Sequence, residues 1–219
     1  MKSAFRAFGD LFSPEFRSVL LKALGLTAGL FIAVLVIAEM LIASFSHFSW
    51  PWADRLVEVG TGIALLVAFF FLMSPVTAAF AGLFLDQIAE KVEERHYPWD
   101  PRGTPLPVGR AILTAIQFFI VMLVVNLAVL PMVFFGVGAF VLIAANAYLI
   151  GREYFEMVAM RHMPVEEAKI LRRENSPTIF IAALLPAFMS IVPFVNFAVP
   201  LFSTAYFTHL FKSVQASSA

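Results

Sequence analysis

The chain has 219 residues, of which 61% are hydrophobic and only 14% are charged. Soluble domains carry about 25% charged residues, so this chain lacks the polar groups needed to cover a water-exposed surface. Its net charge is zero and it has no cysteine, which excludes a basic field for nucleic acid and excludes disulfide or thiolate chemistry. The composition, with 25 phenylalanines, is typical of a membrane protein.

Four long windows of the sequence are almost free of charge. Residues 23–53 contain only Glu39, and residues 59–85, 111–151 and 175–211 contain no Asp, Glu, Lys or Arg. About 20 apolar residues span a bilayer core, and backbone polar groups in lipid must be satisfied within their own segment. We therefore predict an all-α integral membrane protein that forms a single membrane domain.

The last two windows, of 41 and 37 residues, are too long for one span each. In the fourth, Ile191–Asn196 predicts a turn, which leaves legs of about 16 residues, or about 24 Å. A bilayer core is about 30 Å thick, so we predict a hairpin that enters the membrane and returns. Pro186 and Pro200 are expected to interrupt its helices. The third window turns at Leu130–Pro131 or at Gly136–Gly138, and its length suits either two thin spans or one deep hairpin.

These windows predict two long transmembrane helices plus two hemi-penetrating or re-entrant helix hairpins. An amphipathic interfacial helix precedes them, because Phe5, Phe8 and Phe12 share one helix face. The predicted segments are 1–13 (interfacial helix), 14–48 (first span), 55–97 (second span with a cytoplasmic extension), 108–150 (first hairpin), 151–174 (cytoplasmic-side helical segment) and 175–212 (second hairpin). In this layout 14 of the 15 basic residues lie on one side, which the positive-inside rule makes cytoplasmic.

The residues that open the first span suggest an anion site. Ser13 is a favoured N-cap, and Pro14 suits the first helical position. The free N–H groups there and the positive end of the helix dipole favour an anion, and Arg17 adds a cation for a tetrahedral oxyanion. Asp10 and Glu15 are nearby and would repel an anion. The pattern therefore fits either an anion site or an ordinary helix cap.

A few polar residues inside the apolar windows are candidates for a transport path. Glu39 has two possible roles. It either has no transport role and pairs with Arg55 or reaches water, or it senses ions or protons on a transport path. Asn126, Asn146 and Asn196 either bridge helices or line such a path.

Motifs for enzyme chemistry are missing from the sequence. It contains no Walker A loop, no G-x-G-x-x-G and no G-x-S-x-G, and its four histidines lie far apart. We therefore predict that the chain is not an enzyme and holds no cofactor or metal.

Several segments of the sequence are similar to those of one known family. They are Leu11-Phe12-Ser13-Pro14, Ser74-Pro75, Asp86–Glu93, Tyr148–Phe155 and Ile191–Pro200. With the amphipathic start, they follow the order seen in the CysZ-type inner-membrane sulfate permease family, part of the wider etoposide-induced-protein domain superfamily. The chain resembles that family over nearly its whole length.

The resemblance implies a function, a location and partners. It implies sulfate transport across the bacterial inner membrane for sulfur assimilation and cysteine biosynthesis, by an ATP-independent channel-like or facilitated pathway. It implies a multi-pass protein whose partners are the sulfate ion, the lipid bilayer and further copies of itself, as a dimer or higher homo-oligomer in parallel or opposed orientation, with no nucleic acid. The alternative is a non-transporting membrane-organising protein that uses its amphipathic and hemi-penetrating helices.

The family's sulfate motif reads roughly Gly-Leu-x-x-Leu-x-x-Pro followed by Arg. Here Leu11 and Pro14 match and Arg17 follows, whereas Ala7 and Phe8 stand at the Gly and first Leu positions, with the glycine displaced. The resemblance and the capping pattern together give one set of candidate anion-binding residues: Gly9, Leu11, Phe12, Ser13, Pro14 and Arg17.

Overall fold

The computed structural model describes residues 2–45, 84–105 and 138–218 continuously, together with positions scattered between 52 and 67 and between 107 and 128. The three continuous ranges form eight helices, further described positions between 52 and 67 and between 109 and 128 are also helical, and no described residue lies in a strand, which confirms the all-α prediction. The helices are α1 (Lys2–Leu11), α2 (Pro14–Phe45), α3 (Leu85–His96), α4 (Gly138–Ala159), α5 (Val165–Glu174), α6 (Ser176–Met189), α7 (Pro193–Asn196) and α8 (Val199–Ser218).

Some predictions concern residues outside the described ranges. These are the Ser74-Pro75 segment of the second predicted span, the path residue Asn126, and the turn at Leu130–Pro131 or at Gly136–Val137. They stay predictions.

Helix α8 lies at the centre of the bundle and packs against α1, α3, α4 and α6. Every residue from Val199 to Lys212 is buried, as expected for a helix that is apolar around most of its circumference. Two of its hydroxyls are satisfied within the helix, since Thr204 and Thr208 each donate to the carbonyl four residues earlier, at 2.9 and 2.7 Å, whereas the buried Ser203 hydroxyl has no hydrogen-bond partner among the described residues. Phe8 of α1 packs on this helix, with its ring 4.7 Å from that of Phe202.

Helix α2 joins the bundle only through its first half. Phe16, Val19, Ala23 and Thr27 form a buried stripe, whereas most residues after Thr27 are exposed. Among the described residues, this is the one helix long and apolar enough to cross a membrane, over Pro14–Leu41.

Helices α4 and α6 approach each other closely at Gly151. A Cβ added there would lie 3.0 Å from Ala183 Cβ and 3.0 Å from Ile179 Cγ2. A glycine therefore permits this contact, as small residues do at helix–helix interfaces in membranes.

Between α6 and α8 the chain turns at residues 190–192, forms the short α7 and turns again before Val199. The prediction that Pro186 interrupts its helix is wrong, since α6 continues through it to Met189. Pro186 is buried. A proline removes one backbone hydrogen bond from its helix, and packing against neighbouring helices can offset that loss. Pro200 lies in the first turn of α8, where a proline has no intrahelical bond to lose.

Candidate functional site

A cavity of about 380 Å³ lies where α1 ends and α2 begins. Between the two helices, Phe12 N–H donates to Gly9 O at 3.3 Å and Ser13 N–H donates to Asp10 O at 2.9 Å. Ser13 O then accepts the N–H of Arg17 at 3.1 Å, which starts the hydrogen bonding of α2. The wall of the cavity is formed by Asp10, Ser13, Pro14, Glu15, Phe16, Lys91, Val92, Glu94 and Arg95.

The wall carries both signs of charge. Helix α3 supplies the two cations, with Lys91 Nζ 2.7 Å from a Glu94 oxygen and Arg95 Nη1 3.5 Å from Asp10 Oδ1. Lys91 and Arg95 are both exposed, so water screens their charges and can replace either carboxylate partner on the side of the cation. An entering anion can therefore compete with these carboxylates for the two cations.

One carboxylate occupies the start of α2 itself. Glu15 accepts hydrogen bonds from its own backbone N–H and from the Ser13 hydroxyl. The first turn of a helix attracts an anion, so Glu15 takes the place that a bound oxyanion would take.

The structure brings only part of the predicted anion site to the cavity. Ser13 and Pro14 form its wall, whereas Gly9, Leu11, Phe12 and Arg17 are not among its described lining residues. Gly9 and Arg17 are exposed, Phe12 is 80% exposed, and Leu11 packs against the core. Their role in anion binding stays a prediction.

The predicted path residues lie apart from this cavity. Glu39 is exposed near the far end of α2, and Asn196 is half-buried at the end of α7. Asn146 is half-buried in the middle of α4, and Asn126 lies outside the described residues.

Next to the cavity, Asp10 is buried between two histidines. Its Oδ1 lies 2.9 Å from His96 Nε2 at the end of α3, and its Oδ2 lies 3.2 Å from His209 Nε2 on α8. Burial alone would raise the pKa of Asp10, but the hydrogen bonds from His209 and His96 outweigh it and lower that pKa. The Tyr97 hydroxyl lies 2.9 Å from the other nitrogen of His209, Nδ1.

Sequence reasoning did not find this cluster or the two cations of the cavity. The sequence analysis treats Asp10 only as a charge that repels an anion. It treats the histidines as too far apart in the sequence to act together. Asp10 and His209 are 199 positions apart, so no local spacing signals their contact. Only the docking of α1 on α8 brings them together.

A second buried cluster fixes the other face of α3. Glu93 accepts hydrogen bonds from the Arg161 guanidinium, at 3.4 and 3.3 Å, and from Gly103 N–H at 3.2 Å. His162 Nε2 lies 3.0 Å from Glu93 Oε1, and Arg161 also bonds Asp86. This cluster ties α3 to the turn after α4 and thereby positions Lys91 and Arg95 at the cavity.

In the part of the chain that the structure describes, the fold is a helical bundle whose α2 is long and apolar enough to cross a membrane, and a charged cavity lies at the start of that helix. A long apolar helix of this kind is found in helical membrane proteins. Over residues 3–200 the chain matches the family described as Sulfate transporter CysZ/Etoposide-induced protein 2.4. The match covers most of the chain, so the chain belongs to this family, as the sequence resemblance predicts. No curated protein gives a significant match to the chain.

Proposed function

We propose that this protein transports sulfate across the bacterial inner membrane, for sulfur assimilation and cysteine biosynthesis, by an ATP-independent channel-like or facilitated pathway. The observation that carries the proposal is the cavity at the start of α2, which has Lys91 and Arg95 in its wall. Membership of the family described as Sulfate transporter CysZ/Etoposide-induced protein 2.4 supports sulfate as the anion.

The cavity offers two kinds of donor to a tetrahedral oxyanion. The first turn of α2 leaves backbone N–H groups without intrahelical partners, and these groups point along the helix axis toward the cavity. Lys91 and Arg95 add charge-assisted hydrogen bonds once they exchange their carboxylate partners for sulfate. Arg17, one turn further along α2, supplies a cation for sulfate that enters or leaves.

The membrane layout is part of the proposal. Pro14–Leu41 has 28 residues, or about 42 Å of helix, which is more than the bilayer core requires. Helix α6 has 14 residues, or about 21 Å, which is less than the core requires. We therefore place α2 across the membrane. We propose that α6, α7 and α8 form a re-entrant hairpin, which enters the membrane and returns to the same side. The exposed apolar surface of α2 is available to lipid and to further copies of the chain in a homo-oligomer.

Uptake of radiolabelled sulfate into proteoliposomes tests the function. We expect the wild type to exceed empty liposomes and Arg17→Ala to lower uptake about tenfold, since hydrogen bonds to charged groups contribute about 1.5–3 kcal/mol. Arg173→Ala, an exposed arginine on α5, is the matched control and should leave uptake unchanged. No uptake above empty liposomes would favour the membrane-organising function. Uptake unaffected by Arg17→Ala would keep transport and remove Arg17 from the site.

Glu15→Gln is expected to strengthen sulfate binding. The change removes the carboxylate that competes for the start of α2, and it leaves the Ser13 hydroxyl able to bond sulfate. Charges near a helix terminus change equilibria about two- to fivefold, and we expect a gain of this size. Isothermal titration of sulfate into the purified protein measures it, with Glu167→Gln, an exposed carboxylate of α5, as control. Weaker binding by Glu15→Gln than by the wild type would contradict this placement of the anion.

A further inference from the structure

We propose that Asp10, His96 and His209 bind a divalent first-row transition-metal ion, of the class to which Zn²⁺ belongs. One ligand atom from each of the three lies within 4.8 Å of the other two. The three residues come from three different helices, α1, α3 and α8. A metal here would therefore fasten the N-terminal helix to the centre of the bundle.

The distances suit a tetrahedral ion after small movements. Zinc bonds to nitrogen and oxygen are about 2.0–2.2 Å long, so neighbouring ligands of a tetrahedral site lie about 3.3 Å apart. The two Nε2 atoms lie at such distances from different oxygens of Asp10, 2.9 Å from Oδ1 for His96 and 3.2 Å from Oδ2 for His209. The two imidazole rings meet edge to face with their centroids 4.8 Å apart. Binding one ion therefore requires the two rings to converge and the Asp10 carboxylate to turn one oxygen toward both.

A further contact orients one of the ligands. The Tyr97 hydroxyl lies 2.9 Å from His209 Nδ1, and with an ion bound its oxygen would accept a hydrogen bond from the Nδ1–H group. In that tautomer the lone pair of His209 Nε2, the nitrogen that faces Asp10, is available to the ion. Metal-bound histidines almost always donate their second ring nitrogen to such a partner. Tyr97 is held in turn by Lys212, whose Nζ lies 5.8 Å from the centre of the tyrosine ring.

The burial pattern is that of a site with one entrance. The side chains of His209 and Asp10 are 0% and 4% exposed, whereas that of His96 is 23% exposed. An ion can enter past His96 and keep a water as its fourth ligand, as zinc does in sites with three protein ligands. Two imidazoles and one carboxylate are ligands that suit zinc and its neighbours in the first transition row.

One positive charge beside the site comes from α3, and another, Arg6, comes from α1. Arg95 lies 3.5 Å from Asp10 Oδ1, and a cation bound there would repel it. Its side chain is exposed and can turn into solvent, so this contact is cheaply given up. Arg95 is already part of the cavity wall. A bound metal would separate it from Asp10 and leave its guanidinium available to the cavity.

Competition with a chromophoric chelator measures zinc binding by the full-length protein, purified in detergent and first stripped of metal. We expect one Zn²⁺ per wild-type chain. His96→Gln and His209→Gln keep an amide N–H that can bond Asp10 but remove a ligand, and we expect binding at least about 100-fold weaker. Tyr97→Phe should weaken binding about tenfold through the orientation of His209.

His162→Gln is the matched control, since His162 also contacts a buried carboxylate, Glu93, away from this cluster. It should bind zinc as the wild type does. A cooperative melting transition of each variant shows that it is folded. Zinc should raise the melting temperature of the wild type and of His162→Gln but not that of His96→Gln. A wild type that binds no zinc, or equal losses in His96→Gln and His162→Gln, would overturn the proposal. Neither result depends on whether the protein transports sulfate.

Discussion

Replacing Arg161 by methionine is expected to lower the free energy of unfolding by about 3–5 kcal/mol, because it leaves a buried carboxylate without its cationic partner. The Arg161 side chain is 0% exposed and that of Glu93 is 4% exposed, so water cannot take over from the guanidinium. Equilibrium unfolding in mixed detergent micelles measures the loss.

Two comparisons isolate the cause of this loss. Arg102→Met removes an arginine that is 71% exposed and pairs with Glu94 at 3.2 Å, and it should cost about 0–1 kcal/mol. The double variant Arg161→Met with Glu93→Gln removes both charges and should recover part of the stability. A single variant Arg161→Met that is as stable as Arg102→Met would show that the buried pair contributes nothing.

The cluster around Arg161 also bears on the proposed site. Ile88, Ala89, Val92 and Glu93 form the buried face of α3, and the cavity cations project from the rest of the same helix. A change that loosens Glu93 therefore moves the cavity wall as well. We therefore expect the stability of this cluster and the geometry of the proposed anion site to be coupled, because both depend on one 12-residue helix.

The helical class could be predicted from the sequence because charge-free windows report directly on burial in lipid or in a helical core. Helices α2, α6 and α8 all lie largely within such windows. The chain also turns between α6 and α8 where Ile191–Asn196 predicts a turn. Pro186 was misjudged because the cost of a proline depends on the neighbours that pack around it, and a local rule does not include them.

The clusters of charged side chains could not be predicted in the same way. Helical periodicity relates residues three or four apart, whereas the contacts of Asp10 with His96 and His209 join positions 86 and 199 apart. Likewise Ser13 and Lys91 meet at one cavity only because α2 and α3 pack together. The sequence therefore predicts an anion site at the start of α2, but it does not predict the side chains that other helices bring there.

Acidification is expected to remove the stability that the Glu93 carboxylate contributes. Burial raises the pKa of Glu93, but the hydrogen bond from His162 and the charge and hydrogen bonds of Arg161 outweigh it, and the pKa falls from 4.5 to about 2. The unfolded chain therefore takes up this proton at a higher pH than the native protein, so the contribution is fully present above about pH 4.5 and is lost as the pH falls through about 2. A difference of this size corresponds to about 3 kcal/mol.

Unfolding measured at intervals between about pH 6 and pH 2 compares the wild type with Glu93→Gln, which cannot titrate at this position. The difference in unfolding free energy between the two should be largest above pH 4.5 and shrink below it. Other carboxyls with lowered pKa values, such as Glu94, titrate in both proteins, so their effect cancels in the difference. Glu94→Gln, whose carboxylate is partly exposed, should follow the wild-type curve much more closely. Parallel curves for the wild type and Glu93→Gln across this range would mean that the native protein does not hold Glu93 ionised in acid, and the buried pair with Arg161 would then lack its charge.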